Sequence, residues 1–198
     1  MTFAFPVTLA GERVVLEPLA GRHADALKEA ADDGALWKTW YTSVPAPERM
    51  EADIERRLAL QAAGSMLPFA VIEPSTGRAV GMTTYMNIDA TNRRVEIGST
   101  WYATRVQRTG LNTEAKLLLL AHAFDTLRCI AVEFRTHWMN RRSRAAIARL
   151  GAKQDGVPRN HLRASDGTLR DTVVFSIIDS EWPAVRSNLR GLLSGGAA

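Results

Sequence analysis

The sequence predicts an α+β protein built on a mixed, mostly antiparallel sheet of about seven strands flanked by helices. Strand-like runs rich in β-branched and aromatic residues follow one another in the middle of the chain and again near its end. Segments with the apolar spacing of helices separate these runs. The resulting order, β-α-α-β-β-β-α-β-α-β-β-α, lacks the regular strand–helix alternation of a doubly wound parallel sheet, so it favours an α+β fold.

The first third of the chain contains one predicted strand and two predicted helices. The strand is "ERVVLEPL" (12–19). The first helix covers 21–34 and the second covers 48–63, and an aromatic segment, "ALWKTWYTSVPAPERM", connects them. Gly34 and Gly64 mark the two helix ends, because glycine readily adopts the left-handed conformation that commonly follows a helix.

Three strands are predicted in the middle of the chain. Two of them flank the turn 74–77, "PSTG", and the third is "RRVEIGSTWYA" (93–103). In the third strand Val95 and Ile97 alternate with Glu96, and successive side chains of a strand point to opposite faces. One face of this strand is therefore expected to be apolar, and the other to carry a carboxylate.

The second half begins with the most regular helical pattern of the chain. From Thr113, the expected N-cap, the apolar residues are spaced for one helix face: Leu117, Leu120, Ala121, Phe124 and Leu127. A strand, a short helix, two strands joined at Asp166-Gly167 and a final helix capped by Ser180 are predicted to follow. Their ranges are 129–137, 140–152, 153–164, 170–178 and 180–193.

Length and composition indicate a single soluble domain. The 198 residues suit one domain over 1–198, with a core at about 12–183 and a flexible tail at 194–198. A net charge of +4 without a lysine-rich tail gives no reason to expect nucleic acid as a partner. Cys129 is the sole cysteine, and the four histidines lack ligand spacing, so we expect no metal. No signal-like N-terminus or membrane-length apolar run is present, and we expect a cytoplasmic protein without membrane association.

A polar turn, "QRTGLN" (107–112), stands directly before the helix predicted from Thr113. The first N–H groups of a helix have no partners within it, and the helix dipole makes that end positive, so such a turn favours anions. Gly110 would let the backbone approach a ligand closely. The spacing fits neither GxxxxGK[ST] nor GxGxxG. The residues alone leave two interpretations open, a phosphate site and an ordinary capped loop.

The turn 107–112 resembles the Q/R-x-x-G-x-G/A signature of the GNAT N-acetyltransferases. Asn112 stands where that signature prefers glycine or alanine, but asparagine keeps the backbone N–H. The element order matches the fold of this family from Arg13 to Trp182. Further residues resemble the RimJ/RimL-type branch, which acetylates N-terminal amines of ribosomal proteins: Glu96-Ile97-Gly98, Trp101 and Thr113-Glu114-Ala115, then Asn140-Arg141-Arg142-Ser143, Ile147 and Leu150-Gly151-Ala152.

The resemblance implies the GNAT acyl-CoA N-acyltransferase fold, with acetyl-CoA as co-substrate and no metal. Backbone N–H groups of the turn would bind the pyrophosphate, a strand end would pair with pantetheine, two arginines would contact phosphates and one asparagine would bind the cofactor arm. An ordinary strand end, surface arginines and a helix N-cap are the structural alternatives. The implied cofactor-binding residues are Trp101, Tyr102, Ala103, Arg105, Gln107, Arg108, Thr109, Gly110, Leu111, Asn112, Thr113 and Asn140.

Three residues are candidates for the implied chemistry, in which a neutral amine attacks the thioester and needs a base. Glu96 matches a glutamate position that serves as base in much of the family, and its structural alternative is an exposed or salt-bridged strand residue beside Arg94. Ser143 matches a serine offered near the thiol, where it would protonate the departing thiolate. Many members use a tyrosine further along this helix, where this chain has Ile147. His137 lies at a strand end and would titrate near neutrality.

The acceptor is less defined than the cofactor. The resemblance implies that Trp37, Trp40 and Tyr41 wall the acceptor pocket, and the alternative is that they cover the core. A protein N-terminus and a small-molecule amine both remain as acceptors. A non-catalytic acyl-CoA-binding or regulatory module is the rival function, and a homodimer is left open.

Overall fold

The computed structural model describes residues 3–164 and 166–195. Of the tail predicted at 194–198, residues 196–198 lie outside the described residues. The strands are β1 (Leu9–Ala10), β2 (Val15–Pro18), β3 (Met66–Glu73), β4 (Arg78–Asp89), β5 (Arg94–Tyr102), β6 (Ala131–His137), β7 (Lys153–Gly156), β8 (Leu162–Arg163), β9 (Leu169–Arg170) and β10 (Thr172–Ile178). The α-helices are α1 (Ala24–Asp32), α2 (Met50–Ala62), α3 (Leu111–Ala121), α4 (Arg141–Arg149) and α5 (Trp182–Leu193).

Eight of the strands form one sheet in the order β1-β2-β3-β4-β5-β6-β10-β7. Its neighbouring strands are antiparallel except β5 and β6, which are parallel. The short strands β8 and β9 form a separate hairpin. The predicted α+β class with a mostly antiparallel sheet is confirmed. The sheet has one strand more than the sequence predicted, because the segment before β2 turns back on itself and adds β1.

The helices cover both faces of the sheet. Thr83 and Thr84 are neighbours on β4 and therefore point to opposite faces. Arg57 of α2 bonds to Thr84, whereas Lys116 of α3 bonds to Thr83. Helix α1 packs beside α2, and α5 packs beside α3. The fold is thus a three-layer arrangement, with α1 and α2 on one side of the sheet and α3 and α5 on the other.

The predicted helix ends are largely confirmed. Gly34, Gly64 and Gly151 follow α1, α2 and α4 with positive φ values of 84°, 76° and 102°, as glycine permits at such positions. The predicted cap of the last helix is wrong. Ser180 lies in a 3₁₀ turn before α5, and its backbone N–H donates to Asp179 Oδ1 at 2.7 Å.

Helix α3 begins at Leu111, so its N-cap lies three residues earlier than predicted. Gly110 occupies the N-cap position with φ of +86°, and Thr113 is a buried residue inside the first turn. The predicted N-cap role of Thr113 is therefore wrong. The buried face is also rotated around the helix relative to the prediction. Leu119 is fully buried, whereas Leu117, which was predicted on the apolar face, is only partly buried.

Candidate active site

A gap opens in the middle of the sheet where β5 and β6 separate. The two strands pair only over three residues, from Arg94↔Ala131 to Glu96↔Glu133. Beyond these pairs β5 stays on β4 and β6 stays on β10. The backbone groups of β5 that point away from β4 after Glu96 therefore face the gap, where an extended ligand can pair with them as an added strand does.

A β-bulge bends β5 beside this gap. Thr84 pairs with Gly98 and Met82 with Trp101, so β5 has one extra residue over this span. Ser99 adopts a φ of +46°, the left-handed region that residues other than glycine seldom occupy. A bulge of this kind redirects the strand and its side chains.

The predicted strand end, Trp101-Tyr102-Ala103, lies at the far end of β5 and is buried. Trp101 Nε1 and Tyr102 Oη make no hydrogen bond to any described residue. Burial raises the pKa of Tyr102, which keeps the phenol neutral. This end of β5 is therefore an apolar wall that encloses two polar atoms without hydrogen-bond partners.

The turn before α3 presents a run of free backbone amides. Within the described residues, the N–H groups of 108–113 have no acceptor in the protein. Gln107 Nε2 donates to the Tyr102 carbonyl at 3.1 Å, and Thr109 Oγ1 donates to the Val106 carbonyl at 2.7 Å. The side chains of Gln107 and Thr109 thus shape the turn, while the backbone supplies the donors that a phosphate requires.

Two residues of this turn have left-handed backbones. Arg108 has φ of +63° and Gly110 has φ of +86°. Asn112, which departs from the family signature, lies inside the first turn of α3 and needs no unusual backbone angle. Its N–H remains in the free run, so the substitution of glycine by asparagine does not remove a donor.

The predicted phosphate-binding arginines differ in their surroundings. Arg105 Nη1 lies 3.0 and 2.9 Å from the two Glu73 carboxylate oxygens. The backbone N–H of Arg105 donates to Asp33 Oδ2. Arg108 is exposed and forms no ion pair with the described residues. Arg105 is thus paired with acidic neighbours, whereas the Arg108 guanidinium is available to bind a phosphate.

Arg13 is a basic residue beside the turn that sequence reasoning missed. A Cβ added to Gly110 would lie 3.6 Å from Arg13 Cδ and Nη1. The Glu114 carboxylate fixes this segment, because it accepts the backbone N–H groups of Glu12, Arg13 and Val14 at 3.2, 2.6 and 2.9 Å. No local motif marks Arg13, since its partner lies about a hundred residues further along the chain.

Asn140 and Ser143 lie together at the start of α4. Asn140 Oδ1 accepts the Ser143 N–H at 3.0 Å, which makes Asn140 the N-cap of this helix. The Ser143 side chain is partly buried and its hydroxyl bonds to no described residue. The cap explains why asparagine occurs here without any ligand, and it leaves the Ser143 hydroxyl free to donate a proton.

Glu96 is a buried carboxylate at the point where the gap begins. It is 6% exposed and lies on the face opposite Val95 and Ile97, as predicted. Asn87 Nδ2 donates to Glu96 Oε2 at 2.7 Å, and Arg135 Nε lies 3.6 Å from the same oxygen. Burial raises the pKa of Glu96 more than the Asn87 hydrogen bond and the Arg135 charge lower it. A carboxylate with a raised pKa is a better general base near neutral pH.

His137 belongs to an aromatic cluster near the end of β6. Its ring centroid lies 5.2 Å from that of Trp40 and 6.3 Å from that of Tyr41. His137 Nδ1 accepts the Met139 N–H at 3.0 Å, so the proton of the neutral ring is on Nε2. Burial is the main cause that lowers the pKa of His137. Because this hydrogen bond occupies its one acceptor nitrogen, the neutral ring of His137 can take up a proton at that nitrogen only by losing the bond from Met139.

The three aromatic residues predicted to line the acceptor pocket, Trp37, Trp40 and Tyr41, do not form one cluster. Trp40 is 59% exposed and packs edge-on against Tyr41, with ring centroids 5.4 Å apart. Trp37 lies outside this cluster, where the Lys38 ammonium sits 5.1 Å from its ring. The structure therefore brings Trp40, Tyr41 and His137 together and separates Trp37 from them.

Other kinds of site find no support in the described ranges. No group of three or more histidine, cysteine, aspartate or glutamate side chains there is arranged to hold a metal ion. Across 3–164 and 166–195, no helix combines the length and apolar character that crossing a membrane requires.

A parallel pair that separates in mid-sheet, a bulge beside the gap and free amides at the next helix are the arrangement expected of the acetyltransferase fold that the sequence resembles. The sequence from 13 to 153 matches the acetyltransferase (GNAT) domain family, and the chain belongs to that family.

Several relatives of known sequence or structure are similar to this chain. The putative ribosomal N-acetyltransferase YdaF of Bacillus subtilis (strain 168) is 33% identical over 106 residues, which are 54% of this chain and 57% of that protein. The match thus spans little more than half of this relative. A GCN5-related N-acetyltransferase from Brucella melitensis is 32% identical, with a TM-score of 0.87 over 96% of this chain and 86% of that one. RimJ from Mycobacterium smegmatis, solved with CoA-disulfide, is 25% identical, with a TM-score of 0.79 over 96% of both chains.

Proposed function

We propose that this protein transfers the acetyl group of acetyl-CoA to a primary amine by direct attack. The observation that carries the proposal is the run of free N–H groups at 108–113, joined to the β5–β6 gap by the wall of Trp101 and Tyr102. The run fits a pyrophosphate, and the gap fits an extended pantetheine chain. These residues fit acetyl-CoA as a co-substrate, and its thioester would supply the activated acetyl group.

The residues around the gap have the properties that this chemistry needs. Glu96 would take a proton from the attacking amine, directly or through water, because its raised pKa makes it a stronger base than an exposed glutamate. Ser143 would donate a proton to the departing thiolate from the start of α4. Backbone N–H groups facing the gap would stabilise charge on the carbonyl oxygen, and positioning would supply much of the rate.

A protein N-terminus is the acceptor that we place first. The similarity to a putative ribosomal N-acetyltransferase and to RimJ supports this choice. The exposed ring of Trp40 and the neighbouring exposed Trp138 and Met139 offer an open surface to a chain end, with Arg144 stacked 4.1 Å over the Trp138 ring. A small-molecule amine would contact only a small part of this open surface.

The test is release of free thiol from acetyl-CoA in the presence of separate acceptors. The acceptors are a peptide with a free N-terminus, the same peptide with an acetylated N-terminus, a polyamine and a free amino acid. We expect turnover with the free peptide and none with its blocked form. Acetyl-CoA binding by calorimetry without turnover on any acceptor would favour the non-catalytic acyl-CoA-binding module instead.

A further inference from the structure

A buried lysine occupies the face of α3 that packs on the sheet. Lys116 is 6% exposed, and its Nζ donates to Thr100 Oγ1 at 2.9 Å and to Thr83 Oγ1 at 3.2 Å. The two hydroxyl oxygens are themselves 2.8 Å apart, so the three side chains form a closed triangle. Lys116 forms no ion pair with any carboxylate of the described residues. Burial lowers the pKa of Lys116 to about 7.

Bringing the Lys116 amine out of water costs stability, and no carboxylate of the described residues offsets this cost. Ala115 and Leu119, which flank Lys116 on the buried part of α3, are apolar and fully buried. A methionine would fill the same volume without bringing an amine out of water. What a lysine adds over methionine at this position is a pair of directional hydrogen bonds to the sheet.

The location of the triangle connects the two halves of the candidate site. Thr100 directly follows Ser99, the bulge residue of β5, and directly precedes Trp101 at the wall of the gap. Lys116 lies in the second turn of α3, and the free amides of 108–113 run through the preceding turn and the first turn of this helix. The hydrogen bonds of Lys116 therefore connect the β5 bulge to α3, the helix that follows the turn 107–112.

We propose that Lys116, acting through Thr100 and Thr83, is a positioning residue that fixes the β5 bulge relative to α3. The inference rests on the proposed function, because its purpose is to hold the two ends of one acetyl-CoA molecule in register. Loss of the triangle would leave the turn 107–112 intact and displace the part of β5 that borders the β5–β6 gap. Small displacements of reacting groups lower the rate of the chemical step much more than they lower binding.

The variants Lys116→Met and Thr83→Val each remove one corner of the triangle. Thr84→Val is the matched control, since Thr84 is equally buried on β4 but bonds to Arg57 on the opposite face of the sheet. Lys116→Gln, a neutral side chain that keeps hydrogen-bonding groups, is the conservative variant. We expect Lys116→Met and Thr83→Val to lower kcat by about 10- to 100-fold with little change in KM for acetyl-CoA. Lys116→Gln should retain more of kcat than Lys116→Met, and Thr84→Val should stay near wild type.

Amide hydrogen exchange of residues 99–102 without ligand provides a second measurement that needs no acceptor. Exchange at these amides should be faster in Lys116→Met and in Thr83→Val than in the wild type and in Thr84→Val. Wild-type kcat and exchange in both triangle variants would overturn the inference, as would parallel losses of kcat, acetyl-CoA binding and Tm. If the wild type acetylates no amine, the proposed function fails, while the exchange rates still decide whether Lys116 fixes the bulge.

Discussion

Replacing Lys116 by methionine should change how the stability of the protein depends on pH. Burial lowers the pKa of Lys116 from 10.5 to about 7 in the folded protein. Between these two pH values the unfolded chain binds a proton that the folded protein does not bind. The free energy of unfolding must therefore rise with pH over this interval, and the unfavourable contribution of Lys116 is greatest below pH 7.

The size of the effect follows from the two pKa values. Each pH unit within the interval changes the free energy of unfolding by about 1.4 kcal/mol for one proton. Between pH 7 and pH 9 the unfavourable contribution of Lys116 should fall by about 2 kcal/mol, allowing for partial titration at the lower limit. Methionine does not titrate, and the hydrogen bonds that it loses to Thr83 and Thr100 give an offset that is nearly independent of pH.

Urea denaturation followed by circular dichroism at pH 7 and at pH 9 measures the effect. The stability difference between wild type and Lys116→Met should shift by about 2 kcal/mol in favour of the wild type at the higher pH. Lys28→Met is the control, because Lys28 pairs with Glu51 at the surface and its pKa is raised. Its difference from wild type should be flat over this interval. A Lys116→Met difference that is equally flat would refute the claim that this lysine is buried without a counter-charge.

Three further predictions concern the candidate site. Gly110→Ala should raise KM for acetyl-CoA by about tenfold, because an alanine at φ of +86° is strained and shifts the free amides; Gly77→Ala, at φ of +67° in an open turn, should cost similar stability and leave KM unchanged. Glu96→Gln should lower kcat by about 100-fold. In the wild type kcat/KM should fall as pH drops through the raised pKa of Glu96, and the variant should lose this limb; a retained limb would assign the base elsewhere. Trp40→Ala should raise KM for the acceptor far more than KM for acetyl-CoA, whereas Trp37→Ala, outside the aromatic cluster, should change neither; equal effects of Trp40→Ala on both constants would contradict its place in the acceptor wall.

Local patterns in the sequence were sufficient to predict most of the elements. Glycines followed by a change of period predicted the ends of α1, α2 and α4, because positive φ at a helix end is a property of one residue. The alternation around Glu96 predicted its face on β5, because successive strand residues point in opposite directions. One local signature that includes Gly110 predicted the position of the turn 107–112, which is the proposed phosphate site.

The first turn of α3 was predicted less well because its structure depends on distant residues. Thr113 has the side chain of an N-cap, but Gly110 takes that position and Thr113 is buried, where Arg149 donates to its hydroxyl at 3.1 Å. The burial of Lys116 likewise depends on distant residues, because Thr83 and Thr100, which accept hydrogen bonds from its ammonium, belong to two strands of the sheet.

The charged groups of the candidate site were also predicted less well, because their partners lie far away in the sequence. Arg105 reads as a free loop arginine, yet Glu73 of β3 pairs with it across the fold. Arg13 reads as an ordinary strand residue, yet Glu114 fixes its backbone beside the turn. Such pairings join residues from distant parts of the chain, and no periodicity or short motif contains them.

Backbone amide shifts during a titration of ¹⁵N-labelled protein with acetyl-CoA test the central claim most directly. Hydrogen bonds from the amides of 108–113 to the pyrophosphate should move these resonances downfield, and the resonances of β5 from 97 to 102 should shift in the same titration. Deacylated CoA should reproduce the shifts at 108–113 and differ mainly at β5. Binding that leaves 108–113 unchanged would contradict the assignment of this turn as the pyrophosphate site.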